Sequence, residues 1–228
     1  NFIGCRDTLT GDDDDTYFVT CLDFLWAPFD ANGNRSPALG ADVVNVSGGC
    51  YPLTSTTCSV AVKNELDTLA TSGVLVVASA GDIDKSGNSI SSLPALNPPA
   101  IAVGGTTLEG GWYPHSPLGP PTGLCKPDVV ALAMGLTVPS KSGSGYAWKE
   151  GTSYASPQVA AAAATVWAIQ GGRSIGPING AVLMAKLLRD SATGIEDRKN
   201  PCESAGRKFV PNRVFGFGSV TVGGAVKA

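Results

Sequence analysis

Three short apolar runs and one amphipathic repeat dominate the first half of the chain. The runs 41–46, 74–78 and 100–103 are rich in Val, Ile and Ala and predict buried β-strands. Between the first two runs, apolar residues recur at helical spacing: Val62, Leu66, Leu69 and Ala70. The order strand, helix, strand predicts a parallel crossover, and therefore an α/β fold with a mostly parallel central sheet.

The second half contains an uncharged, Ala-rich stretch from Val159 to Ile169. This stretch predicts a helix that is buried on every side and that ends at Gly171. The pattern also predicts a helix over 179–189 and a short last strand near 215–222. Because the 228 residues show no internal repeat and no linker, they are consistent with one domain.

Two segments rich in Gly and Ser follow the first two predicted strands. The carboxyl ends of neighbouring parallel strands meet at one edge of a sheet, where ligands of such sheets bind. The two segments should therefore line one shared crevice. They are Ser47-Gly48-Gly49 and Ser79-Ala80-Gly81-Asp82.

Ser153 stands at the predicted start of the Ala-rich helix, two residues after Gly151. A helix N-terminus offers free backbone N–H groups and the positive end of the helix dipole. Ser153 is therefore a candidate nucleophile whose own N–H can stabilise an oxyanion. The alternative is a serine that only caps the helix. Pro157 fits the first turn of a helix and kinks the helix elsewhere.

The low charge of the chain bears on its partners. Sixteen Lys and Arg oppose nineteen Asp and Glu, and charged residues make up 15% of the sequence. A nucleic-acid-binding protein needs a basic face, so we expect no nucleic-acid partner. The stretch 159–169 has about half the length that crosses a bilayer, so we expect no membrane partner either. His115 is the only histidine, which excludes a multi-histidine metal site.

Six cysteines and 29 glycines favour a secreted, extracellular protein with disulfide bonds. Six cysteines allow 15 pairings, and the sequence does not choose among them. The run Asp12–Asp15 raises a calcium hypothesis, with a solvated loop as the alternative because adjacent carboxylates cannot all face one ion; no other cofactor is predicted. Our predicted pairs are Cys50 with Cys58, around a short loop, then Cys5 with Cys21 and Cys125 with Cys202.

The start of the Ala-rich helix resembles the active-serine motif of the subtilisin-like serine proteases, the subtilases. The motif reads Gly151-Thr152-Ser153-Tyr154-Ala155-Ser156-Pro157. Other blocks resemble the same family in the same order: 41–49, 76–82, 100–105, 126–131 and 215–218. The cysteine-containing start, with 32–34 and 47–50, is most similar to the bacillopeptidase F type, and 80–82 with 102–108 resemble the sedolisins. The resemblance covers nearly the whole chain and implies the three-layer subtilisin-like fold.

This resemblance also implies an activity and a set of site residues. It implies a secreted serine endopeptidase that cleaves protein or peptide substrates through an acyl-enzyme on Ser153. The Ser153 N–H and Asp82 would stabilise the oxyanion. The remaining residues would pair with the extended substrate backbone and wall the primary specificity pocket; they are Ser47, Gly48, Gly49, Ser79, Ala80 and Gly81.

Motifs for the family's catalytic Asp and His are absent from this sequence. His115 lies among prolines in a segment that matches a surface loop, so we do not assign it as the base. Without a base, an oxyanion hole leaves a residual acceleration of about 10³ to 10⁴ over water. We therefore expect 1–228 to be the C-terminal, larger part of a single peptidase domain, inactive by itself and without its N-terminal strands.

The catalytic Asp and His would then come from a complementary N-terminal fragment of the same precursor, separated by proteolytic processing or lost. An alternative is an inert pseudoenzyme that keeps the fold and only binds peptides. A dinucleotide-binding module ranks last, because no strand is followed by a GxGxxG motif.

Three positions depart from the usual subtilase pattern. Ala131-Leu132-Ala133 stands in place of Ala-Pro-Gly, and Gln158 stands where a His often follows the proline. Asp82 occupies the position of the family's oxyanion Asn. An ionised carboxylate would repel an oxyanion, whereas a protonated one donates a hydrogen bond as an amide does. We hypothesise that protonated Asp82 acts at mildly acidic pH; the alternative is a sedolisin-like, acid-acting serine carboxyl peptidase.

Overall fold

The protein is built around a sheet of four parallel strands, seen in a computed structural model that describes residues 2–5, 16–50, 56–83, 88–120, 123–175, 177–206, 208–221 and 223–224. The strands lie side by side in chain order: β1 (Val43–Val46), β2 (Leu75–Ser79), β3 (Ile101–Thr106) and β4 (Val129–Leu132). A separate antiparallel hairpin joins β5 (Leu136–Pro139) to β6 (Tyr146–Lys149). The α-helices of the described part are α1 (Thr16–Trp26), α2 (Thr56–Thr71), α3 (Thr152–Ile169) and α4 (Pro177–Asp190).

Different helices cover the two faces of the sheet, because successive side chains of a strand point to opposite faces. Leu75 and Val77 on β2 pack in one core cluster with Val159 of α3. Val76, between them, belongs to a second cluster with Val62 of α2. The chain therefore has the expected three-layer α/β fold, with helices on both faces of a parallel sheet.

At the carboxyl edge of the sheet, β1 and β2 end within one residue of each other, whereas β3 continues to Thr106. Val46 pairs with Ala78 across β1 and β2, and Ser79 pairs with Val103 across β2 and β3. Ser47 therefore leaves β1 beside the last residue of β2, which brings the two segments of the predicted crevice to the same edge.

A buried ion cluster supports the β3 and β4 side of the sheet. Lys126 is 2% exposed and donates to Asp128 Oδ2 at 2.7 Å and to the Ala100 carbonyl at 2.6 Å. Asp128 Oδ2 also accepts the Ala102 N–H, and its Oδ1 accepts the Arg189 guanidinium of α4 at 2.6 Å. Burial lowers the pKa of Lys126 from its ordinary 10.5, although Asp128 opposes that effect. The buried ammonium is therefore hydrogen-bonded to the carboxylate and to the backbone. Because Asp128 also binds Arg189, the cluster links the start of β3, the start of β4 and helix α4.

Two predictions from the apolar pattern are wrong. Helix α3 is buried on one face only, since Thr165 and Ala168 are exposed and Ile169 is 56% exposed. An Ala-rich helix can carry such a face because each alanine exposes little apolar surface. The last predicted strand is also absent from the described residues: within 215–221 there are only isolated bridges, from Gly216 to Asn212 and from Ser219 to Val130 and Thr193.

The predicted helices are confirmed with shifted ends. Helix α2 covers the repeat that we placed between the first two strands, and α4 covers 179–189. The sequence pattern missed α1, strand β4 and the β5–β6 hairpin. None of the helices in the described part is long and apolar enough to cross a membrane.

Two of the predicted disulfides are present in the described residues. Cys5 is bonded to Cys21, and Cys125 is bonded to Cys202. Cys50 is also disulfide-bonded, but the side chain of Cys58 lies outside the described residues.

Candidate active site

Helix α3 starts at the carboxyl edge of the sheet, where a glycine turns the chain. Gly151 is the N-cap, with φ of 131°, a value that residues with a side chain rarely adopt. A Cβ at this position would lie 3.3 Å from Asp82 Oδ2. The Gly151 N–H donates to the carbonyl of Ala133, the residue after β4, at 2.8 Å. The backbone conformation therefore favours glycine at the first position of the serine motif.

Thr152 joins the start of α3 to the segment that follows β2. Its hydroxyl donates to the Gly81 carbonyl at 2.7 Å, and its N–H donates to Asp82 Oδ1 at 3.1 Å. The structure thus brings the candidate oxyanion residue to within one residue of the candidate nucleophile.

Ser153 is joined to Ser47 by two reciprocal hydrogen bonds. The Ser153 hydroxyl donates to the Ser47 carbonyl at 3.2 Å, and the Ser47 hydroxyl donates to the Ser153 carbonyl at 2.7 Å. The second bond replaces one that the helix lacks, because Pro157 has no N–H for the carbonyl four residues before it. The two serines, 106 residues apart in sequence, therefore form one structural unit.

Two residues of this site were not assigned by the sequence reasoning. Ser156 is fully buried and donates to Asn45 Oδ1 at 2.6 Å, and Asn45 Nδ2 donates to Ser47 Oγ at 3.0 Å. Their spacing was the available signal. Asn45 and Ser47 are two apart on a strand, and Ser153 and Ser156 are three apart on a helix, so each pair shares a face.

The other predicted substrate-binding residues divide into an exposed and a buried group. Gly48 and Gly49 are exposed, like Ser47. A Cβ on Gly49 would lie 2.2 Å from the Leu93 carbonyl oxygen, whereas one on Gly48 would meet nothing within 4 Å. Ser79 and Ala80, in contrast, are 4% and 0% exposed. The accessible part of the predicted crevice is thus formed by the segment after β1, together with half-buried Gly81 and Asp82.

His115 lies near the segment that follows β2, on a loop that the sequence predicts to lie at the surface. Its side chain is exposed, as expected, and its ring centroid is 5.5 Å from that of Tyr113. Its backbone carbonyl accepts the N–H of Ile83, the residue after Asp82, at 2.8 Å. The loop of the single histidine therefore packs beside the site, which the sequence did not predict.

The calcium hypothesis for the acidic run near the start of the chain stays a prediction. The run Asp12–Asp15 lies outside the described residues. Among the residues that are described, no group of three His, Cys, Asp or Glu side chains is placed to hold a metal ion.

The fold and the site together define a class of protein. A parallel α/β sheet presents a serine at a helix N-terminus, beside a glycine-rich segment and backbone donors, which are the types of group that serine hydrolases use as nucleophile and oxyanion donors. A sequence profile of the Subtilase family matches residues 28–218. The chain therefore belongs to the Subtilase family.

Individual relatives support this family membership over part of their length. Subtilisin NAT from Bacillus subtilis subsp. natto is 35% identical over 127 residues, which are 55% of this chain and 30% of that protein. Alkaline elastase YaB from Bacillus sp. (strain YaB) is 37% identical over 129 residues, which are 56% of this chain and 30% of that protein. The match thus spans 30% of the length of each of these two relatives.

Solved structures show the same fold. A protease from Pseudoalteromonas arctica PAMC 21717 superposes with a TM-score of 0.68 at 19% identity, over 94% of this chain and 58% of that one. The patellamide maturation protease PatA gives 0.67 at 20% identity, over 94% of this chain and 68% of that one. These matches confirm the subtilisin-like fold; the similarity to the bacillopeptidase F type and to the sedolisins stays a prediction.

Proposed function

We propose that this chain carries the nucleophile and the oxyanion-binding side of a secreted serine endopeptidase, and that an N-terminal segment of the same precursor supplies the catalytic Asp and His. One observation carries the proposal: Ser153 lies in the first turn of α3, between the two segments of the crevice. Its hydroxyl donates to the carbonyl of Ser47 in the exposed segment after β1, and the N–H of the preceding residue, Thr152, donates to Asp82. Membership of the Subtilase family supports the same assignment.

In the proposed reaction, the Ser153 oxygen attacks the scissile carbonyl while the base removes the hydroxyl proton. The negative charge that develops on the carbonyl oxygen is stabilised by the Ser153 N–H at the start of α3 and by Asp82 in its protonated form. Collapse of the tetrahedral intermediate expels the amine, which takes the proton from the base. Water then attacks the acyl-enzyme by the same route and restores Ser153.

The base must reach the Ser153 hydroxyl from outside the described part. In this structure that hydroxyl donates to the Ser47 carbonyl, so its proton is held until a stronger acceptor arrives. Strand β1 is at the edge of the described sheet. An edge strand has backbone groups that can pair with another strand, which supports β1 as the place where the N-terminal segment joins.

Substrate recognition would rest on the segment after β1. Ser47, Gly48 and Gly49 are exposed beside the nucleophile, so that their peptide groups are accessible to an extended protein or peptide substrate. Open space around Gly48 leaves room for a substrate side chain. The disulfides are compatible with the proposed extracellular location.

An activity-based serine probe tests the proposal. A biotinylated fluorophosphonate should label the full-length protein, and peptide mapping should place the label on Ser153. Ser153→Ala should abolish the label, whereas Ser142→Ala, a change at an exposed hairpin serine, should leave it unchanged. Mass spectrometry of the labelled sample should also show a segment with the missing Asp and His, as part of the same chain or as a bound fragment.

The same experiment separates the proposal from an inert, peptide-binding pseudoenzyme. A folded full-length protein that binds peptides but shows no probe reaction at Ser153 would support the pseudoenzyme. The acid-acting alternative rests on Asp82 beside the start of α3, and it requires labelling that increases as the pH falls.

A further inference from the structure

We infer that Asn45 is a positioning residue for the nucleophile: it orients the Ser47 hydroxyl so that its proton is donated to the Ser153 carbonyl. The inference rests on the proposed function, because it assigns a role in the reaction of Ser153. Three hydrogen bonds carry it, from Ser156 to Asn45, from Asn45 to Ser47 and from Ser47 to Ser153.

The need for this arrangement arises from Pro157. In a regular helix the carbonyl of Ser153 would accept the N–H of residue 157, but proline has none. The Ser47 hydroxyl fills this gap at 2.7 Å, so the first turn of α3 depends on a side chain from another element.

A serine hydroxyl has a single proton and can donate it in several directions. Asn45 removes that freedom, since its Nδ2 donates to Ser47 Oγ at 3.0 Å and the serine must then act as donor elsewhere. The Asn45 amide is fixed in turn, because its Oδ1 accepts the hydroxyl of fully buried Ser156 at 2.6 Å. Each member of the chain thus determines the direction of the next bond.

The consequence for catalysis concerns the backbone of Ser153. Its N–H is the proposed oxyanion donor, and its carbonyl is held by Ser47, which also accepts the nucleophile's hydroxyl. Loss of the Asn45 donor frees the Ser47 hydroxyl to rotate and releases the carbonyl. Nucleophile and oxyanion donor would then lose their fixed geometry, and such losses reduce the chemical step more than ground-state binding.

Asn45→Asp tests the inference in the full-length protein. The ionised carboxylate has the shape of the amide but only accepts hydrogen bonds, so the Ser47 hydroxyl turns toward it and leaves the Ser153 carbonyl. With a chromogenic peptide amide at neutral pH we expect kcat to fall about tenfold, the equivalent of one hydrogen bond, with KM within about twofold of wild type. As the pH falls and the carboxyl gains a proton, it donates again, and the ratio of variant to wild-type kcat should rise. Asn64→Asp, an exposed site on α2, makes the same charge change and should match wild type.

A second variant covers the case in which Asn45→Asp does not fold. Ser156→Ala removes only the donor to Asn45 Oδ1 and should lower kcat a few-fold with KM unchanged. The role of Asn45 is overturned if both variants have the kcat of the wild type, or if the deficit in Asn45→Asp does not change with pH. In either case the proposed function stands as long as the wild-type protein reacts with the serine probe at Ser153. A wild-type protein that neither reacts with the probe nor hydrolyses peptides overturns the proposed function, and this inference with it.

Discussion

Asp82→Asn is the substitution that most directly tests the oxyanion assignment. Asp82 Oδ1 accepts the Thr152 N–H at 3.1 Å, and the amide oxygen of asparagine can keep that bond. The new NH₂ group then occupies the place of Oδ2, the atom that would lie 3.3 Å from a Cβ at Gly151. The change therefore adds a permanent donor at the start of α3 without a change of shape.

The size of the effect follows from the value of one oxyanion donor. Loss of such a donor costs about 10² to 10³ in rate. An ionised carboxylate cannot donate, so wherever Asp82 is ionised we expect Asp82→Asn to raise kcat by up to about 10²-fold. A protonated carboxyl already donates, so where Asp82 is protonated the two proteins should have similar kcat values.

The measurement is kcat for a peptide amide from pH 4 to pH 8 in the full-length protein, expressed as the ratio of variant to wild type. Asp190→Asn, a change at an exposed carboxylate paired with Lys186, is the control for a lost surface charge and should give a ratio near one throughout. A ratio for Asp82→Asn that is also flat near one would refute the assignment of Asp82 to the oxyanion hole.

Two further predictions concern stability. Asp128→Asn leaves buried Lys126 without its carboxylate and should lower the free energy of unfolding, measured by urea titration, by about 3 to 5 kcal/mol. The control Asp67→Asn, at an exposed pair with Lys63, should lower it by no more than about 0.5 kcal/mol. Equal losses in the two variants would contradict the importance of burial. Burial raises the pKa of Glu65 above its ordinary 4.5, with Asp23 adding to the effect. Between the ordinary and the raised pKa, the folded state therefore binds more protons than the unfolded state. The free energy of unfolding should fall as the pH rises through this interval. Glu65→Gln should remove this fall. The prediction is contradicted if the urea midpoint depends on pH, between pH 4 and pH 7, in the same way in Glu65→Gln as in the wild type.

Three of the four strands of the sheet, β1 to β3, could be predicted from the sequence because their signals are local. Each is a continuous apolar run, and β2 and β3 are buried along their whole length. The amphipathic repeat likewise defined α2 before any tertiary contact was known. Helix α1 carries a weaker pattern, because Leu22 is its only fully buried residue in this structure. Such a pattern does not distinguish a helix from the irregular segments on either side of it.

The site could be predicted only in part, because its contacts are non-local. Gly151 and Ser153 carry a local signal as a glycine and a serine at a helix start. The partner of Ser153 is 106 residues away, and the role of Asn45 depends on a bond to Ser156 that spans 111 residues. No periodicity contains that information, since it arises only when α3 packs across the ends of the strands.

The first turn of α3 shows why the nucleophile depends on the whole sheet edge. The N–H of Gly151 is held by the residue after β4, that of Thr152 by Asp82 after β2, and the carbonyl of Ser153 by Ser47 after β1. These bonds satisfy groups that a helix terminus, or a helix with an internal proline, leaves unpaired. The position of Ser153 is therefore set by the ends of three strands and little by the helix propensity of its own segment. A displacement of any one strand end would move the serine relative to its oxyanion donors, so we expect catalysis to be lost before the fold is.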